Sequence, residues 1–178
     1  MRLRDKRVAM LVENNYQEME VWVPIFRLQE AGASITVVGP KAGEYRSKLG
    51  YPVTADTAAS DAATMQFDAV IVPGGYAPDL MRTNEHMVGL VRSHARSGAV
   101  VAAICHGSWM LASANVIRGK KVTGAAQIRD DLINAGATFI DQDAVRDGNL
   151  ITSRKPADIP AFCAAIVSAL SEKQAVAA

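Results

Sequence analysis

The sequence predicts an α/β fold in which a doubly wound, mostly parallel sheet is sandwiched between helices. Short, continuously apolar segments bounded by Gly and Pro alternate with segments of helical periodicity. Continuous apolar strands are typical of a sheet that is covered on both faces, and strands alternating with helices are typical of a parallel sheet. The length of 178 residues suits one domain, residues 1–178, with a frayed tail at about residues 173–178.

Four apolar or β-branched segments are predicted to be the parallel strands. They are residues 8–12, 34–38, 69–72 and 99–104. Two hairpins are predicted as antiparallel additions. One pairs residues 45–47 with residues 52–54. The other pairs residues 144–146 with residues 149–152 across Asp147-Gly148, because an Asp-Gly pair between β-prone segments is a strong turn signal.

Three helices are predicted between and after these strands. The first would turn one face inward and end at Gly32. The second would begin at Thr83 or Asn84 and end at Gly98, with His86 and His94 solvated. The third would begin at Pro156 and carry the clearest 3.6-residue pattern in the chain. The predicted inward residues are Met19, Trp22, Phe26 and Ala31; Met87, Leu90, Val91 and Ala95; and Ile159, Phe162, Cys163, Ile166, Val167 and Leu170.

The composition argues against several classes of protein. Lys and Arg total 19 and Asp and Glu total 18, so the net charge is +1 and gives no electrostatic reason to expect nucleic acid or an anionic membrane as partner. No segment approaches the ~20 apolar residues of a membrane span. Two cysteines make no disulfide framework, so we expect a cytoplasmic protein.

Cys105 is the strongest candidate for a functional residue. It lies at the end of a predicted buried strand, in the sequence Ala103-Ile104-Cys105-His106-Gly107, and a helical pattern follows. A nucleophile on a sharp strand-to-helix turn has small residues around it, here Ala103 and Gly107. The helix N-terminus is expected to lower the pKa of the thiol. Cys163, by contrast, is expected to be a core residue.

Other candidates lie at the ends of the neighbouring strands. His106 follows the nucleophile and is a candidate general base or acid, although a role in supporting the turn stays open. Glu13 ends the first strand, and its carboxyl group could touch the thiol, with a pKa raised by burial, or cap the next helix. Gly74 and Gly75 follow the second strand, and their N–H groups, with that of His106, are candidate oxyanion donors.

Metal and phosphate sites find no support in the sequence. There is no Cys-x-x-Cys pair, and the histidines lack a ligand spacing. Gly74-Gly75 is not followed by the residues of a phosphate-binding loop. We therefore expect no metal and no cofactor.

Taken together, these segments resemble the ThiJ/PfpI family, and most closely its PfpI-like branch, within the class I glutamine-amidotransferase-like superfamily. The matching segments are residues 8–13, 70–75 with Ala77-Pro78, 102–107, 130–136, 147–149 and 153–158. The resemblance implies a flavodoxin-like sandwich with Glu13, Cys105 and His106 at the active site. It also implies that the N–H groups of Gly75 and His106 are oxyanion donors.

The resemblance further implies a homodimer or a higher homo-oligomer. In the PfpI-like branch a neighbouring subunit adds an acidic residue, typically Glu, just after the Gly-Gly-x-Ala-Pro loop. The corresponding residue of this chain is Asp79, which is shorter by one methylene group. A catalytic Asp79 would therefore have to reach the site across a subunit interface.

The resemblance to the ThiJ/PfpI family implies two possible enzymatic functions, and the residues leave a third, non-enzymatic function open. The first is a cysteine-dependent enzyme that acts on small reactive aldehydes without a cofactor, of the glyoxalase or deglycase type. The second is an intracellular cysteine peptidase, for which the sequence offers no obvious peptide groove. The third is a thiol redox sensor or holdase chaperone, since an exposed thiol of low pKa also suits a sensor. Retention of a base beside Cys105 favours catalysis over sensing.

Overall fold

The computed structural model describes the backbone of residues 3–176 and the side chains of residues 3–172. The strands, in chain order, are β1 (Arg7–Leu11), β2 (Ser34–Gly39), β3 (Gly43–Arg46), β4 (Pro52–Ala55), β5 (Thr57–Ala58), β6 (Ala69–Val72), β7 (Val100–Ile104), β8 (Lys121–Val122), β9 (Thr138–Phe139), β10 (Ala144–Asp147) and β11 (Leu150–Ser153). The helices are α1 (Glu18–Ala31), α2 (Ala59–Ala62), α3 (Ala77–Met81), α4 (Glu85–Arg96), α5 (Ser108–Ser113), α6 (Arg129–Asn134) and α7 (Ile159–Val176). The side chains of the predicted tail, residues 173–178, lie outside the described residues.

The main sheet has seven strands in the order β10-β11-β7-β6-β1-β2-β5. All neighbouring pairs are parallel except β10 and β11, which form an antiparallel hairpin. The central strands β1, β6 and β7 are buried along nearly their whole length, as their continuous apolar sequences predict. The four predicted parallel strands and both hairpins are confirmed, and the second hairpin extends the main sheet through β11.

The first helix differs from the prediction in the face that it buries. Met19 is 52% exposed and Phe26 is 60% exposed. The buried face of α1 consists of Glu20, Val21, Pro24, Ile25, Leu28 and Ala31. The prediction followed the largest apolar side chains, whereas α1 buries smaller ones where it packs against β2 and α7. The expectation of a buried Met19 and Phe26 is therefore wrong.

The other two helices follow the predicted patterns, with two differences. Pro156–Asp158 form a 3-10 turn, so α7 itself begins at Ile159 and not at Pro156, and one histidine of α4 is buried. The side chain of Asn84 caps α4 by accepting hydrogen bonds from the N–H groups of His86 and Met87. His94, which we expected to be solvated, is buried: its Nε2 accepts a hydrogen bond from the N–H of Phe67 at 3.3 Å. The predicted apolar residues of α7 are all buried, including Cys163.

Within the described residues, no helix combines the length and the hydropathy that crossing a bilayer would require. The same part of the chain contains no group of three or more His, Cys, Asp or Glu side chains placed to hold a metal ion.

Candidate active site

The candidate site lies at the carboxyl ends of β1, β6 and β7, which are adjacent in the sheet. The loops after β1 and β6 are joined by backbone hydrogen bonds. The N–H of Gln17 donates to the carbonyl of Gly74 at 3.3 Å, and the N–H of Tyr76 donates to the carbonyl of Asn15 at 2.9 Å. Ligands of open α/β sheets bind at this edge. The topology thus brings the start of α1 and the loop after β6 against the end of β7.

Cys105 occupies a strained turn between β7 and the helical segment that leads into α5. Its φ angle is +60°, in the left-handed region that a non-glycine residue rarely adopts. The turn is possible because Gly107 lacks a side chain: a Cβ there would lie 2.5 Å from the carbonyl oxygen of Val72. The structure therefore has the strand-turn-helix arrangement predicted for a nucleophile elbow.

Two backbone N–H groups converge on the sulfur atom of Cys105. They belong to His106 and Gly75, the two oxyanion donors that the family resemblance implies. The N–H of Gly74 has another partner, because it donates to Oε2 of Glu20 at 2.7 Å. Of the three predicted donors, Gly75 and His106 are thus directed at the thiol, and Gly74 instead holds a carboxyl group.

The carboxyl group beside the thiol belongs to Glu20, on the first turn of α1. Glu20 is fully buried, and its carboxyl group lies against the Cys105 side chain. Gly74 makes this approach possible: a Cβ there would lie 2.6 Å from Oε2 of Glu20 and 2.7 Å from Cβ of Cys105. Oε1 of Glu20 is buried and has no hydrogen-bond partner of standard geometry among the described residues.

Glu13 lies elsewhere than the sequence predicted. Its Oε1 accepts a hydrogen bond at 2.7 Å from the N–H of Asn14, and its side chain is half-buried at the end of β1. The position expected for Glu13, in contact with the thiol of Cys105, is occupied by Glu20. Sequence reasoning missed Glu20, although it lies in line with the apolar residues Val21 and Pro24 on the buried face of α1.

Burial governs the acid–base behaviour of the pair formed by Cys105 and Glu20. Burial raises the pKa of Glu20 to about 7, against opposing hydrogen bonds from Gly74 and Cys105. Burial, together with the charge of Glu20, raises the pKa of the Cys105 thiol to about 12. This direction is opposite to the sequence prediction, because desolvation outweighs the backbone N–H groups. At a pH between these two pKa values, the side chains of Cys105 and Glu20 together hold one proton. The thiolate of Cys105, which is the nucleophile, forms when that proton is on Glu20.

His106 lies beside the sulfur on the other side of the turn. Its Nδ1 is 3.4 Å from Sγ of Cys105, and its ring packs edge-on against Trp109 at 5.2 Å between ring centroids. Burial lowers the pKa of His106, which favours the neutral imidazole that a general base requires. No acidic side chain of the described residues hydrogen-bonds the His106 ring, and Asp79 is exposed on α3.

A cleft of about 710 Å³ opens over Cys105 and His106. Its wall opposite the elbow comes from the segments around α6, β9 and the end of β11. The lining residues beyond the elbow are Gly124, Ala125, Ala126, Gln127, Arg129, Phe139, Asp141, Arg154 and Lys155. The thiol is therefore open to a small organic molecule.

Comparison with known proteins identifies relatives over nearly the whole chain. Deglycase PfpI of Pyrococcus furiosus is 38% identical over 164 residues, which are 92% of this chain and 99% of that protein. Protein/nucleic acid deglycase 2 of Escherichia coli is 39% identical over 160 residues, 88% of this chain and 93% of that protein.

A solved structure and a family model give the same result. The crystal structure of a two-domain protein from Anabaena variabilis, containing DJ-1/ThiJ/PfpI-like and ferritin-like domains, matches with a TM-score of 0.91 and 41% identity. The match covers 93% of this chain but only 48% of that protein. The fold is thus the flavodoxin-like fold of DJ-1, ThiJ and PfpI proteins. The model of the DJ-1/PfpI family matches residues 6–169, and the chain belongs to that family.

Proposed function

We propose that this chain is a cofactor-independent cysteine enzyme that acts on reactive carbonyl compounds, of the glyoxalase or deglycase type, and so protects against carbonyl stress. The observation that carries the proposal is the contact between the thiol of Cys105 and the buried carboxyl group of Glu20. A carboxyl group with a pKa near 7 can take the thiol proton and return it during one turnover. The names of the deglycase relatives support the same chemistry.

The reaction of an α-oxoaldehyde can be written with these residues. The thiolate of Cys105 adds to the aldehyde carbon, a C–S bond forms, and the oxygen takes the proton from Glu20. Neutral His106 then moves the proton of the former aldehyde carbon to the neighbouring carbon, and the hydroxyl proton of the adduct passes to the oxygen of that neighbouring carbon. The first carbon is thereby oxidised to a thioester and the second is reduced to an alcohol. Water hydrolyses the thioester to a 2-hydroxy acid and restores the thiol, so no external oxidant is needed.

The N–H groups of Gly75 and His106 support the addition step. They act to lower the pKa of the Cys105 thiol, against the larger effect of burial, and they are fixed by the backbone around the elbow. Donors placed in advance stabilise the oxyanion that develops on the attacked carbon. In this scheme Glu20 has the role that the sequence suggested for Glu13, and Glu13 takes no part in the chemistry.

We also propose that the enzyme works as a homodimer or a higher homo-oligomer in the cytoplasm. Exposed apolar side chains form a patch on α1 and the neighbouring hairpin: Met19, Val23, Phe26, Leu49 and Tyr51. Nε1 of Trp22, beside this patch, is buried and has no hydrogen-bond partner of standard geometry among the described residues. A second copy would cover such a patch, and Asp79 of one copy would orient His106 of another. Two free cysteines suit a reducing compartment.

The test is consumption of methylglyoxal with chiral detection of lactate. Cys105→Ser should lower turnover by at least about a thousandfold, because the alcohol is a far weaker nucleophile. Cys163→Ala is the matched control and should keep wild-type turnover, because Cys163 lies on the buried face of α7 and does not line the cleft. An inactive wild type, or an active Cys105→Ser variant, would reject the proposal. A peptide-amide assay and peroxide treatment with intact mass would then separate the peptidase from the redox sensor.

A further inference from the structure

The cleft over Cys105 has a positively charged outer wall. Arg129, Arg154 and Lys155 line it, whereas Asp141 is its one acidic residue among the described lining residues. The whole chain has a net charge of only +1, so this local excess of positive charge is not a general property of the surface. A concave site with one sign of charge attracts ligands of the opposite sign.

Arg154 does not contribute to this excess, because its charge is neutralised within the protein. Its Nε lies 2.9 Å from Oδ2 of Asp158, and its Nη1 lies 2.7 Å from Oδ1 of Asp141. These two ion pairs fix the segment between β11 and α7. The acidic residue of the lining is therefore paired, and the positive charge of the cleft comes from the other two cations.

Among the cations of the cleft, Lys155 has no ion pair within the described residues, and Arg129 has only one long, exposed pair. No carboxylate of the described residues lies within ion-pair distance of Lys155, which is exposed. The guanidinium of Arg129 packs over the ring of Phe139 at 5.8 Å, which holds it at the wall. Its nearest acidic partner, Oδ1 of Asp130, is at 3.8 Å. That distance is too long for a direct hydrogen bond.

From this arrangement we infer that the cleft takes carbonyl substrates that carry an anionic group, a carboxylate or a phosphate, with Lys155 as the residue that selects for it. The inference rests on the proposed function for the carbonyl and on the charges of the cleft for the anion. The pair of Cys105 and Glu20 carries one negative charge above about pH 7. The anionic group must therefore be separated from the reacting carbon by a short spacer.

The first experiment tests charge selection without requiring turnover. N-propylmaleimide and 3-maleimidopropanoate have the same length and differ in one carboxylate. Each reacts when the thiolate adds to the double bond and the resulting enolate takes a proton. We expect Cys105 to favour the anionic reagent about tenfold, relative to a free thiol, at low salt. The preference should shrink as salt is added.

Variants assign the preference to Lys155. Lys155→Met should lower the preference for the anionic maleimide by at least about threefold, and Lys155→Arg should retain that preference. Lys41→Met, which removes an exposed lysine outside the cleft, should leave it unchanged. If inorganic phosphate slows the reaction of Cys105 with the maleimides, the anionic group that the cleft selects is a phosphate. If propanoate slows that reaction, the group is a carboxylate. A wild-type preference equal to that of the free thiol, or one unaffected by Lys155→Met, would overturn the inference.

The second experiment repeats the comparison with substrates. The neutral 2-oxopentanal and the anionic 4,5-dioxopentanoate share a five-carbon chain and the same reacting end. The anionic compound should have the lower KM at similar kcat, and Lys155→Met should raise that KM alone. Equal KM values for the two compounds would contradict the inference and leave the proposed function intact. Charge selection by the maleimides without turnover of either aldehyde would reject the proposed function instead, and with it the carbonyl part of the inference.

Discussion

At the scale of single residues, the site depends on a proton that Cys105 and Glu20 share. Glu20 is buried beside the thiol, and only one of its carboxyl oxygens has a hydrogen-bond donor of standard geometry among the described residues, the N–H of Gly74. A carboxyl group in such a place favours its neutral form, which can donate a hydrogen bond to a thiolate. The same burial that makes Glu20 useful for catalysis makes its charged form costly for folding.

This cost predicts how stability depends on pH. The pKa of Glu20 is about 7 in the folded protein and has an ordinary value of 4.5. The folded state therefore holds more protons between these values, and the free energy of unfolding falls as pH rises from about 4.5 to 7. Glu20→Gln removes this dependence. The variant should be more stable than the wild type by up to about 3 kcal/mol at pH 8, and equal to it near pH 4.5.

Urea unfolding at several pH values measures the effect, and Glu18→Gln is the matched control. Although burial opposes it, hydrogen bonds from Ser47 and from the N–H groups of Glu18 and Leu49 lower the pKa of Glu18. Stability from that carboxylate is present above its unfolded pKa and is lost in acid, so Glu18→Gln should destabilise at pH 8. We compare the stability of Glu20→Gln with that of the wild type at each pH. If the variant gains no stability over the wild type between pH 4.5 and pH 8, or loses some, the assigned burial of Glu20 is contradicted.

The residues of the site differ in how far the sequence could predict them. Cys105, His106 and Gly75 follow from local patterns, because strand, turn and helix succeed one another along the chain. Glu20 depends on which face of α1 is buried, and that is decided by packing against β2 and α7. The large side chains of Met19 and Phe26 predict burial of the opposite face, so the pattern gives no sign of Glu20. Glu13 is predicted instead because it ends the first strand and because the family resemblance implies it.

At the scale of elements, the turn between β7 and α5 controls the position of the nucleophile. Gly107 should tolerate no side chain, because a Cβ there would lie 2.5 Å from the carbonyl oxygen of Val72 and 2.9 Å from that of Pro73. These are backbone atoms at the end of β6 and at the start of the loop that follows it, and they cannot move without shifting the donors of the site. We expect Gly107→Ala to cost about 2–3 kcal/mol of unfolding free energy and most of the turnover.

Gly89→Ala serves as the control for this variant. Gly89 lies inside α4, and a Cβ there would meet no heavy atom within 4 Å beyond its chain neighbours and the nearby backbone of the helix itself. Alanine favours a helix interior over glycine, so this variant should gain about 0.5–1 kcal/mol and keep its turnover. Thermal unfolding and the methylglyoxal assay on both variants check the pair. A fully active Gly107→Ala would show that the elbow does not require the close contact with β6.

The elements themselves were largely predictable, and the reason is physical. Strands β1, β6 and β7 are buried on both faces, so their sequences are continuously apolar and need no tertiary context. The short elements, such as β8 and β9, have two residues each and carry no periodicity. They form because loops are held in place by the rest of the fold, and they supply the cleft wall around Phe139.

At the scale of the whole molecule, the proposed homo-oligomer supplies the acidic partner of His106. Asp79 is exposed on α3, next to Tyr76 and Leu80, which are 71% and 44% exposed. Exposed apolar side chains around a carboxylate are expected where another subunit packs. In a homo-oligomer, each site would then combine Cys105 and His106 of one subunit with Asp79 of the next.

Mixed oligomers test this shared site directly. Cys105→Ala and Asp79→Asn should each lower turnover strongly when assayed alone, the first by removing the nucleophile and the second by leaving His106 without its carboxylate. Unfolding and refolding the two variants together at equal amounts forms mixed dimers, in which one of the two sites has every group intact. Random pairing would restore about a quarter of the wild-type turnover. No recovery, with mixed dimers demonstrated by native mass spectrometry, would confine the site to one subunit, and a fully active Asp79→Asn would remove Asp79 from the mechanism.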